Sequence, residues 1–161
     1  MGVAISTAGT KVTYAWETTS GTRPTTGYVQ IPDIKEVPAL DSAPEALDST
    51  TLSNEKYKSS IDGLIDLGGN INFTVNLTNE FQTAWETFCA KKAENKKKDC
   101  CAWVQVDTPG LNKAIFIPCY PVDLGSPARS VNAVLEASAY ITPCGDLKWE
   151  EPIAVTANSE L

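Results

Sequence analysis

The stretch Asn70–Lys91, NINFTVNLTNEFQTAWETFCAK, holds the two periodicities that decide the fold. In its first half Ile71, Phe73, Val75 and Leu77 alternate with Asn72, Thr74 and Asn76, the period-2 signature of a half-buried strand. In its second half Phe81, Ala84, Trp85, Phe88 and Cys89 fall at i, i+3, i+4, i+7 and i+8, one apolar stripe of a helix. The spacing predicts a strand over Asn70–Thr78 and a helix over Glu80–Lys97, with Asn79 as N-cap and Gln82 at the third position of a capping box. The lysines at the far end of that helix complement its dipole. An aromatic stripe at this spacing reads as core.

Outward from this unit the pattern is β. Val12, Tyr14 and Trp16 alternate with Lys11, Thr13, Ala15 and Glu17, predicting a strand with a polar outer face. Thr18–Thr26 is a loop, and Tyr28–Val37 is a strand broken by Pro32, which places it at an edge or bulge. A hairpin is expected from Cys101–Asp107 and Asn112–Tyr120, with Pro109 and Gly110 at the centre of a type II turn. A long strand is predicted over Val131–Thr142, with Val131, Ala133, Leu135, Ala137, Ala139 and Ile141 on one face. A short strand follows near Leu147–Glu150. The predicted fold is mainly β: a β-sandwich or partly closed barrel of about seven strands with one packed α-helix.

Between Val37 and Ile71 these patterns stop. Ala39–Ser60 has no sustained period, and its apolar residues are sparse: Leu40, Leu47, Leu52, Tyr57 and a few alanines. Structureless connections beyond about 12–15 residues are uncommon in compact domains. A long arm with spaced apolar anchors suggests a segment ordered against a partner. The chain therefore reads as a single domain over residues 1–161, with 38–69 as an extended assembly loop.

Composition excludes several functions. The net charge of −7 opposes affinity for nucleic acid through phosphate neutralisation. Charge is also segregated. Asp41, Glu45, Asp48, Glu55, Asp62 and Asp66 face two lysines, a local balance of −4, whereas Lys91–Lys98 holds five lysines against Glu94, a balance of +4. Each can be a solvated face, or the two can complement one another in self-assembling copies. No apolar run reaches the roughly 18–20 residues of a membrane helix. The N-terminus lacks a basic stretch followed by an apolar one and is not read as a signal peptide.

There is no histidine, which removes the commonest general base and metal ligand. The five cysteines, Cys89, Cys100, Cys101, Cys119 and Cys144, form no C-x-x-C pair and are read as reduced, buried small side chains, so no metal or other cofactor is expected. Two rival functions remain open. Trp103 sits beside Ala102 and Val104 on the opposite face and is expected to be exposed, which keeps a carbohydrate-binding module or adhesin as the alternative function. Asp62 and Asp66, four apart, form a conceivable carboxylate pair for a small hydrolase.

The segment IPDIKEVPALDSAPEALDSTTLSNEKYKSSIDGLIDLGGNINFTVNL, Ile31–Leu77, resembles the tail tube (major tail) proteins of long-tailed bacteriophages. The resemblance rests on an acidic, proline-containing linker, then Pro44-Glu45-Ala46-Leu47-Asp48-Ser49-Thr50-Thr51-Leu52, then Gly63-Leu64-Ile65-Asp66-Leu67-Gly68 leading into a strand. The helix, hairpin and last long strand follow in the expected order, whereas the cysteine-bearing segment Lys96–Cys101 departs from the pattern. The resemblance implies a non-enzymatic virion subunit with no catalytic residue. It would be assembled in the host cytoplasm as stacked hexameric rings around a channel that DNA crosses without specific binding. Its partners would be further copies of itself, a tape measure protein and tail completion or tip proteins, with no membrane. The inter-ring contact would comprise Leu40, Glu45, Leu47, Asp48, Leu52, Tyr57, Leu64 and Asp66, with Leu47, Leu52 and Leu64 as apolar anchors.

Overall fold

The computed structural model describes residues 2–40, 46–53, 57, 60–62 and 69–155. Its centre is a curled, half-barrel antiparallel sheet with one helical segment packed on it. In chain order the elements are β1 (Lys11–Trp16), β2 (Val29–Gln30), β3 (Ile34–Glu36), β4 (Ala46–Asp48), β5 (Ser60–Asp62), β6 (Ile71–Asn76), α1 (Asn79–Ala90), α2 (Lys92–Lys97), β7 (Ala102–Asp107), β8 (Ala114–Pro121), β9 (Glu136–Pro143) and β10 (Lys148–Glu150). Seven strands run in the order β2-β1-β7-β8-β9-β6-β3, and β10 pairs beside them with the first half of β8.

The break at Pro32 has a larger effect than an edge strand. The two pieces it separates lie at opposite ends of the sheet, β2 on β1 and β3 on β6. Asp33, at φ 61°, makes the turn between them. The Ile31 amide donates to the Val12 carbonyl at 2.8 Å, and the Asn76 amide donates to the Asp33 carbonyl at 3.0 Å. One short segment therefore pairs with part of both margins of the curled sheet.

The predicted stripe of α1 faces this sheet. Phe81, Trp85 and Phe88 are fully buried with Val12, Tyr14, Phe73, Val75, Val104, Ile117, Ala139 and Ile141. Phe88 stacks on Tyr14 at 4.0 Å and meets Trp85 edge-on at 5.3 Å. Trp85 Nε1 donates to the Val122 carbonyl at 2.9 Å, which ties the helix to the chain leaving β8. Ala137 and Ala139, on the inward face of β9, are buried in the same core.

Several boundaries differ from the sequence reading. The N-cap is Thr78, whose hydroxyl accepts from the Phe81 amide at 3.2 Å, and not Asn79. The helix predicted as continuous to Lys97 is interrupted at Lys91, where ψ relaxes to −4°. β9 begins at Glu136 and not at Val131. Asn132, at φ 59°, sits in a turn, and Val131 is left 89% exposed. The arm is not without regular structure: β4 and β5 pair as a hairpin. The type II turn at Pro109-Gly110 stands as predicted, with φ 98° at Gly110 and the Leu111 amide donating to the Thr108 carbonyl at 3.2 Å.

The largest correction concerns the outer face of β1 and β7. Thr13, Ala15 and Glu17 are buried, and so is Trp103, at 5% exposure. They form a second core with Tyr28, Ala114, Phe116 and Ile153, on the side of the sheet away from α1. Its polar members are satisfied. Glu17 accepts from Trp103 Nε1 at 2.8 Å, from the Cys101 amide at 2.8 Å and from the Gly21 amide at 3.3 Å. Gln105 donates to Thr13 Oγ1 at 3.0 Å and holds Ile153 by both backbone groups. Burial of Trp103 removes the exposed ring on which the sugar-binding alternative rests, whereas Trp149 is 56% exposed.

Candidate functional site

The feature outside the main fold is the β4–β5 hairpin. Its register pairs Ala46 with Asp62, Leu47 with Ile61 and Asp48 with Ser60, forming a two-stranded sheet separate from the half-barrel. Side chains alternate across a strand, so Leu47 and Ile61 project together from one face. Neither is covered: Leu47 is 44% exposed and Ile61 58%. Leu52 and Tyr57, in the connection between the strands, are more exposed still. A lone two-stranded hairpin is marginally stable in water. Apolar side chains grouped on an exposed surface make it a candidate interaction site.

Local hydrogen bonds shape the hairpin. Hydrogen bonds from the Thr50 hydroxyl and amide, the latter at 2.9 Å, hold the Asp48 carboxyl below its usual range. Asp48 is therefore an anion at neutral pH, beside the apolar pair. Thr51 and Ser53 hydroxyls meet at 2.8 Å and tighten the first turn after it.

The predicted contact residues separate into groups. Leu47, Asp48, Leu52 and Tyr57 are at the surface of the arm. Leu40 is not: it is half-buried against the main core, where it roots the arm on the domain. Glu45, Leu64 and Asp66 lie outside the described residues, and with Asp66 goes any geometry for the Asp62/Asp66 pair. Ile61 was missed. Its signal was Ser60-Ile61-Asp62, which mirrors Ala46-Leu47-Asp48 as one apolar residue between two small or polar ones.

Elsewhere the chemistry is quiet. A groove of about 370 Å³ between α1 and the chain after β8 is lined by Trp85, Glu86, Cys89, Asp123, Leu124 and Arg129 among others. Its thiol is not poised for attack: burial and the neighbouring Asp123 push Cys89 up to about 12. Partial burial of the thiol and a hydrogen bond with Cys101 likewise push Cys144 up to about 12, although the residue as a whole is exposed and not buried as expected. Burial holds Cys119 protonated as well. A neutral thiol is a poor nucleophile. Among the described residues no three histidine, cysteine or carboxylate side chains gather to hold a metal ion, and no helix is long and apolar enough to cross a membrane.

No protein-family model matches the chain, and no curated protein matches it in sequence. Among solved structures, the chain is similar to a subunit in the six-fold symmetrised cryo-EM structure of the anti-feeding prophage baseplate. That similarity has a TM-score of 0.62 at 11% identity, covering 94% of this chain and 98% of the other. What the two share is the fold. The likeness runs over nearly the full length of both chains.

Proposed function

We propose that the chain is a structural subunit of a phage tail-type assembly, a tail tube protein that polymerises as stacked, six-membered rings around a channel. The observation that carries this reading is the outlying hairpin, which presents Leu47 and Ile61 uncovered on a strand pair too small to be stable by itself. A symmetric assembly supplies the missing layer from the next copy. Two further facts support it: the whole-length fold likeness to a subunit of a six-fold symmetrised baseplate, and the net charge of −7, which lets DNA pass a lumen without adhering.

In this reading the arm reaches a neighbouring ring. Leu47, Ile61, Leu52 and Tyr57 pack on it, and Leu64 adds a further anchor. The subunit acts without catalysis or cofactor, in the virion, alongside a tape measure protein and tail completion proteins. Deleting residues 42–59 leaves both cores intact. The expected product is a folded monomer that forms no tubes in negative-stain micrographs at concentrations where the full chain does. Tubes from the deleted variant would refute the role of the arm.

A further inference from the structure

The helical segment that ends the packed face carries an unneutralised basic surface. Lys91, Lys96, Lys97 and Lys98 are exposed and Lys92 is half-buried. Among the described residues the one ion pair in this group joins Lys98 to Glu94 at 3.2 Å. Lys96 lies over the Tyr120 ring at 5.4 Å, a contact that leaves its charge in place. Lys92 and Lys96 are four apart on α2, a like-charge spacing that costs the helix some stability. A balance of +4 over Lys91–Lys98, on a chain with net charge −7, is thus concentrated, and among the described residues no acid beyond Glu94 pairs with it.

The acidic arm is its complement. The sequence from Asp41 to Asp66 has a balance of −4, and Asp48 stands exposed on the hairpin as a firm anion. Within one copy no ion pair joins the described arm residues to α2. We infer that the lysine face of α2 is the acceptor for the acidic arm (Asp41–Asp66) of a second copy, an inference that rests on the assembly reading above and names the surface on the other side of that contact. Such a contact is heterologous, a hairpin of one copy on the helix of the next, and a heterologous contact propagates into rings or stacks and does not stop at a dimer. Opposed charges steer and orient the encounter, and the Leu47–Ile61 pair supplies apolar burial once it forms.

The experiment uses the full chain, followed by sedimentation velocity and negative-stain microscopy. Wild-type association is expected to weaken as salt rises from about 50 mM to about 500 mM, because exposed pairs are screened. K92E with K97E is expected to weaken association at least about tenfold while the melting temperature and circular dichroism stay unchanged, both side chains lying outside the cores. D48K is expected to weaken it as well, and the chain combining all three changes is expected to recover part of the loss. Wild-type-like assembly by the K92E/K97E chain, while deletion of residues 42–59 abolishes assembly, would overturn the acceptor and leave the arm's role standing. Assembly surviving the deletion, or no association of the wild-type chain at any salt, would overturn both. Failure of the combined chain to recover would overturn direct pairing. Unchanged assembly with lost affinity for a duplex DNA oligonucleotide would reassign the patch to nucleic acid.

Discussion

Leu47 lies directly across the hairpin from Ile61, and the two side chains share one face on which both are exposed. In the β4 and β5 strands each is flanked by small or polar residues, so the pair is an isolated apolar knob on an arm of low intrinsic stability.

Replacing this pair with acids separates assembly from folding. L47D with I61D removes the knob without touching either core. The expected outcome is a monomer by sedimentation whose melting temperature stays within a degree or two of the parent, since exposed substitutions change stability by about 0.5 kcal/mol or less. A large fall in melting temperature would mean that the hairpin packs on its own domain.

Glu17 is the polar centre of the second core. Truncating it in E17A leaves the Trp103 indole N–H and the Cys101 amide buried without acceptors. The expected cost is about 2–4 kcal/mol of unfolding free energy by denaturant titration, with E17Q losing less because it keeps an acceptor oxygen. Equal stability of E17A and the parent would show that water reaches both donors.

Gln105 grips the end of the described chain. Its carboxamide accepts from the Ile153 amide at 2.8 Å and donates to the Ile153 carbonyl at 3.0 Å. Q105L breaks both bonds and strands the Thr13 hydroxyl. Hydrogen exchange at Ile153 is expected to accelerate by at least about tenfold, with a global loss of about 1–3 kcal/mol.

Cysteine titration gives the pH dependence. Burial, with Asp123 beside it, raises Cys89 from an ordinary value of 9.0 to about 12, and burial with the Cys101 hydrogen bond raises Cys144 to about 12. The unfolded chain releases these protons first, so above pH 9 it binds fewer than the folded one. Stability is therefore fully present below pH 9 and falls as pH rises towards about 12. C89A is expected to flatten part of that fall in denaturant titrations, and thiol alkylation of Cys89 at pH 8 is expected to be far slower than in the unfolded chain.

Elements with a long, uninterrupted period were legible in the sequence. β6 and the α1 stripe stand because Ile71, Phe73 and Val75, then Phe81, Trp85 and Phe88, meet one core from consecutive elements. The Pro109-Gly110 turn stands because only those two residue types impose its backbone. The outer face of β1 was misread for a nonlocal reason. Thr13, Ala15 and Glu17 look solvated beside Val12 and Tyr14, and what covers that face arrives from Tyr28 and Ile153, distant in the chain. Trp103 was misjudged by the same omission. At Val131 the apolar alternation continued past the strand, and the backbone reversed at Asn132 regardless. The hairpin escaped because three residues per strand hold too little pattern, although the apolar arm residues themselves stood out against their polar surroundings.

The Pro32 break has a bearing on how the sheet meets its surroundings. Sheet margins are where β-proteins stick to one another indiscriminately. Here the stretch from Val29 to Glu36 ties down both β1 and β6. Two otherwise distant edges thus hang on one piece of chain, so loosening it would bare both at once.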